Sequence, residues 1–140
     1  MNREILFRGK GVETNEWVYG AYILEKYSNT PYICCFEYGT FVTIKHVEVV
    51  PETVGEFTGL TDKNGKKIFE GDIVNYGDCP ASDYYRETIV VNCGAIEFSD
   101  GAFYVTERQT VEMNDLIYYG TMDCEVVGNK FDNPEFLSKE

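Results

Sequence analysis

A mainly β fold in one domain over residues 1–140, closed by a short C-terminal helical turn, is what this sequence predicts. Three observations point there. Aromatic residues make up 15% of the chain, with 11 Tyr and 9 Phe, a load that suits pleated, half-buried strands better than helical bundles. Apolar runs are short and broken every few residues by turn formers. Two glycine-punctuated phrases, Gly59-Leu60-Thr61-Asp62-Lys63-Asn64-Gly65 and Ile68-Phe69-Glu70-Gly71-Asp72-Ile73-Val74, spell out a hairpin and its onward strand.

Each element follows from its local chemistry. From Ile5 to Ile23, short apolar runs interrupted by Gly9, Gly11 and Asn15 predict a hairpin, with Trp17, Tyr19 and Ile23 on one strand face. Ile33 to Phe36 and Phe41 to Ile44 form a second, around a Glu37-Tyr38-Gly39-Thr40 loop, and a strand from His46 to Val50 is stopped by Pro51. Pro51-Glu52-Thr53 has room for one helical turn at most, since Gly55 follows at once. Asn64-Gly65 predicts a type I′ turn, because both of its central residues need positive φ. Gly71-Asp72 turns the chain again before Ile73-Val74.

The stretch Tyr76 to Arg86 has no period and several breakers, so it reads as an exposed loop of the kind that carries binding. Thr88 to Asn92 and Gly94 to Phe98 are strand-like, and Asp100-Gly101 makes a tight hairpin into Ala102 to Val105, with Phe98 and Phe103 covering one apolar face. Glu107 to Tyr119 fits no period well enough to assign. Val126-Val127 is a last strand, and Asn133-Pro134-Glu135-Phe136-Leu137 is a helix start with Asn as N-cap and Pro at the first position.

Composition excludes more than it selects. A formal net charge of -12 repels phosphate at long range, so nucleic acid is not expected as the primary partner. The opening Met1-Asn2-Arg3-Glu4-Ile5 lacks a signal-peptide apolar run, and no stretch approaches ~20 apolar residues, so a cytoplasmic protein with reduced thiols and no membrane association is expected. Five cysteines (34, 35, 79, 93 and 124) without C-x-x-C spacing, beside a single histidine, His46, give zinc no framework. No cofactor is expected.

No catalytic set stands out. Glu70 with Asp72, or Glu97 with Asp100, supplies paired carboxylates, yet an acid–base pair needs contrasting environments to split its pKa values. His46 is the sole base for a cysteine nucleophile and lies in a strand pattern, while Cys34, Cys35, Cys93 and Cys124 sit in apolar surroundings and Cys79 alone is in a loop. Gly9-Lys10-Gly11 and Gly65-Lys66-Lys67 lack full P-loop spacing. A non-enzymatic role is therefore expected. Tyrosine is favoured at protein interfaces, which makes Tyr84 and Tyr85, and Tyr118 and Tyr119, candidates for partner contact.

Taken together, Arg3 to Gly9, Glu16 to Gly20, Val49 to Leu60, the Asp62 to Val74 hairpin, Gly94 to Phe98, Glu125 to Asn129 and Asn133 to Leu137 resemble the YopX family of phage and prophage proteins over nearly the full length. The resemblance implies a small SH3-like barrel or roll with extra hairpins, in a bacterial host cytoplasm, and carries no catalytic residues with it. The resulting expectation is an accessory protein that contacts protein, copies of itself included, through Tyr84, Tyr85, Phe136 and Leu137. The alternative is a nucleic-acid-associated or DNA-mimicking regulator acting on a host DNA-binding protein, with Lys63, Lys66 and Lys67 as its basic face.

Overall fold

Strands dominate the computed structural model, which describes residues 2–75, 93–106, 110–112, 117–118, 121–122 and 124–137. The chain divides into two compact units, 1–59 and 60–140. Among the described residues there is no closed barrel; the strands lie in two sheets whose pairing is antiparallel except at one point.

The first unit is a meander. β1 (Phe7–Lys10) pairs with β2 (Trp17–Glu25), β2 with β3 (Thr30–Glu37) and β3 with β4 (Thr43–Glu48), all antiparallel. On its other side β1 meets Gly55 and Glu56, the start of β5 (Gly55–Thr61). Both predicted hairpins are present, and the strands expected over 41–44 and 46–50 are one strand running to Glu48. Trp17, Tyr19 and Ile23 do share a strand parity, with Trp17 half-buried against Arg8 and Tyr19 and Ile23 exposed.

Two close approaches curl this meander. A Cβ at Gly9 would lie 2.9 Å from the Val49 side chain, so glycine is what lets fully buried Val49 pack down onto β1. One isolated bridge, Gly11 to Val49, with the Val50 N–H donating to the Lys10 carbonyl at 2.8 Å, brings the chain beyond β4 back beside the end of β1. Pro51–Thr53 then makes the single 3-10 turn expected of it. Buried Thr53 fixes that turn: its hydroxyl donates to the Val50 carbonyl at 2.6 Å and accepts the Lys10 N–H at 2.9 Å.

In the second unit β6 (Lys67–Phe69) returns along β5, and Thr61 meets Thr121 of β12 (Thr121–Met122) in the one parallel contact; β11 (Ile117–Tyr118) pairs with β12. A five-stranded sheet has the order β10 (Thr110–Glu112), β9 (Ala102–Thr106), β8 (Cys93–Ser99), β7 (Asp72–Asn75), β13 (Glu125–Asn129). Its core gathers Ile68, Val74, Ile96, Val105 and Cys124, with Leu60, Phe103 and Val126 packed against them. The tight hairpin expected at Asp100-Gly101 is present as a two-residue turn with φ of 52° and 82°, both positive as type I′ requires, and the Phe98 and Phe103 rings pair across it at 5.0 Å.

The Asn64-Gly65 turn is not type I′. Gly65 has φ 81°, but Asn64 is not in the left-handed region. The Gly65 N–H donates to the Asp62 carbonyl and the Asp62 N–H to the Lys66 carbonyl, a three-residue loop ending in a left-handed glycine. Asp62 selects this form, because its carboxylate collects the N–H groups of Asn64 and Lys66 from inside the turn, each at 2.9 Å. At the C-terminal end Pro134–Leu137 forms the expected 3-10 turn. The Asn133 side chain reaches backwards to accept the Asn129 N–H at 3.3 Å, against Gly128, where a Cβ would stand 2.4 Å from that oxygen.

Candidate interaction surface

The β2–β3–β4 sheet of the first unit has one face that reaches the core around Ile33 and Val49, with Tyr22 and Leu24 38% and 47% exposed further along it, and one face that does not. Period-2 alternation puts Pro31 and Ile33 of β3 on the inner face with Val47 and Val49, and Ile33 and Val49 are fully buried. The opposite parity carries Ile23 of β2, Tyr32, Cys34 and Phe36 of β3, and Ile44 and His46 of β4. Ile23, Phe36 and Ile44 are 51%, 62% and 68% exposed, so an apolar row runs along the outer face towards the β3–β4 turn.

The turn continues it. Tyr38, Phe41 and Val42, between the two strands, are 77%, 80% and 61% exposed. Phe36 and Tyr38 stack at a tilt, ring centres 6.4 Å apart. From Phe36 to Ile44 the single charged residue is Glu37, in a chain of net charge -12. Three rings so exposed present on the order of 400 Å² of apolar surface, taking about 150–250 Å² for a whole aromatic side chain, within the range of the largest apolar patches on soluble proteins, which are often functional.

His46 lies opposite Cys34 in the β3–β4 register, its ring edge-on to Tyr32 at 5.8 Å. Burial, and then the neighbouring Cys35, push the Cys34 thiol up, away from the thiolate that a nucleophile requires. The carboxylate pairs are also dispersed in role. Buried Asp72 accepts the Phe69 N–H at 2.8 Å, Glu97 pairs with Lys130 at 3.1 Å, and Asp100 is a turn residue. Among the described residues no group of three or more His, Cys, Asp or Glu could hold a metal ion, and no helix is long and apolar enough to cross a membrane.

Of the residues expected to contact partners, Tyr84, Tyr85 and Tyr119 lie outside the described residues, as does the thiol of Cys79, and Tyr118 is described only as backbone in β11. Phe136 is exposed and Leu137 half-buried on the last 3-10 turn. Lys63, Lys66 and Lys67 are all exposed on or beside one turn. Arg8 is not on offer as part of a basic face: it is buried on β1, with its guanidinium 4.5 Å from the centre of the Trp17 ring.

The apolar hairpin end escaped the sequence reading, which saw two strands and a loop and stopped there. A signal was present. Between Phe36 and Ile44 apolar side chains occupy both strand parities and the loop as well, and a hairpin cannot bury both of its faces in one core.

The fold and surface define a mainly β protein of two units with an exposed apolar row on one sheet. The chain belongs to the YopX family, whose model, described as YopX protein, matches residues 6–138. The crystal structure of protein EF1440 from Enterococcus faecalis is similar in fold, with TM-score 0.61 and 23% sequence identity over 98% of this chain and 100% of that one. No curated protein matches the sequence at a significant level.

Proposed function

We propose that the protein is a non-enzymatic interaction module, a phage or prophage accessory protein that acts in the bacterial cytoplasm by contacting protein. The observation that carries this reading is the charge-poor apolar surface of the β3–β4 hairpin, where Phe36, Phe41 and Ile44 are each more than half exposed. Exposing such side chains to water costs solvation free energy that docking recovers, about 25 cal/mol per Å² of apolar surface covered. The curled β1–β4 meander, with its Gly11 to Val49 bridge, supports the SH3-like part of the reading.

Affinity capture from host lysate, with and without nuclease, tests it. A protein partner or self-assembly that survives nuclease, and is lost in a Phe36→Asp/Phe41→Asp variant that keeps its circular dichroism spectrum, is the expected result. Retention of nothing, together with a monomeric mass at every concentration, overturns the proposal. The competing nucleic-acid reading draws on the clustering of Lys63, Lys66 and Lys67 at one turn. It requires oligonucleotide binding that weakens steeply with salt and with charge reversal at those three lysines.

A further inference from the structure

We propose that the contact is self-complementary: two copies of this chain pair about a two-fold axis through the edge of β4, so that each hairpin end lies beside the other copy's β4 and the Phe36 and Ile44 side chains of both copies form one apolar stripe. The inference rests on the protein-contact reading above and names its partner and surface.

Charge selects the occupant. Two chains of net charge -12 repel wherever their acidic surfaces meet, and Phe36–Ile44, with Glu37 alone, is a stretch where they can approach without that penalty. A strongly charged partner would find no complementary charges there. A patch used twice also needs no second matching surface, which is why isologous two-fold dimers are the commonest assemblies.

The backbone supplies direction. β4 ends the strand order of its sheet among the described residues, and its outer edge is taken up only from Glu48 onward, where the Val12 N–H donates to the Glu48 carbonyl at 3.0 Å and Val49 bridges Gly11. Thr43 to Val47 is thus an edge that a second strand can extend. Antiparallel pairing centred on Ile44 sets Ile44 against Ile44, Thr43 against Lys45 and Val42 against His46, so no like charges face each other. Centring on Lys45 would oppose two ammonium groups, which is unfavourable in a cross-strand pair.

Sedimentation equilibrium of the full chain across a concentration series tests the arrangement, with Ile44→Lys and Phe41→Asp as separate variants. The wild type is expected to reach a dimer mass, and Ile44→Lys to raise the dissociation constant by roughly 30-fold or more, as loss of a central interface residue does. Phe41 lies outside the strands, so its variant reads the same contact even if a lysine in β4 disturbs the sheet. A wild type that stays monomeric, or a dimer indifferent to both substitutions, overturns the proposal. A monomeric wild type that nonetheless retains a host protein, lost in both variants, overturns self-pairing while leaving the protein-contact reading standing. A monomer that retains nothing ends both.

Discussion

Asp62 is 1% exposed and remains ionised by virtue of the backbone around it. Burial, the strongest single influence, pushes its pKa up; the N–H groups of Val126, Lys66 and Asn64, with the Lys66 charge, outweigh it and hold the carboxyl below its ordinary value. A pKa lower in the folded than in the unfolded chain stabilises the fold fully above the unfolded value. That contribution is lost as pH falls through the folded one. Thermal melts should therefore show a fall in stability below about pH 4 that is smaller in Asp62→Asn. At pH 7 the same substitution should cost about 2 kcal/mol, because an amide NH₂ cannot accept the Val126 N–H and leaves a buried donor unsatisfied. Chemical denaturation at the two pH values checks both statements.

At the scale of elements, backbone clearance decides which glycines matter. A Cβ at Gly20 would come within 2.1 Å of the Cys34 carbonyl oxygen, a backbone atom with little freedom to retreat. Gly20→Ala should accordingly destabilise the β2–β3 pairing by roughly 3 kcal/mol, read as a drop in the denaturation midpoint. Gly101 meets nothing, so Gly101→Ala should cost only the strain of its positive φ, about 1 kcal/mol. These turns were the legible part of the sequence: Asp100-Gly101, Gly71-Asp72, Pro51 and Pro134 each act through one residue's own φ restriction, which no distant contact has to supply. Asn64-Gly65 was misread for the opposite reason. Its geometry is set by Asp62, outside the dipeptide, and Asp62 is in turn held by Val126 from another strand. The exposed hairpin face was illegible in the same way, since alternation shows which side chains share a face but not which face finds a cover.

Net charge governs the molecule as a whole. At -12, association between copies works against long-range repulsion, and salt screens that repulsion within about 10 Å at 0.1 M. Raising salt from 50 to 500 mM should therefore strengthen self-association, measured by light scattering, whereas binding to nucleic acid would weaken over the same range. Asp62 adds a different property to the second unit. Its carboxylate accepts N–H groups from its own turn and from Val126, 64 residues along the chain. Amide protons at Asn64, Lys66 and Val126 should consequently trade with deuterium at matched rates and become labile together as acid neutralises that one side chain. Remote stretches of sequence would then open as a single cooperative event.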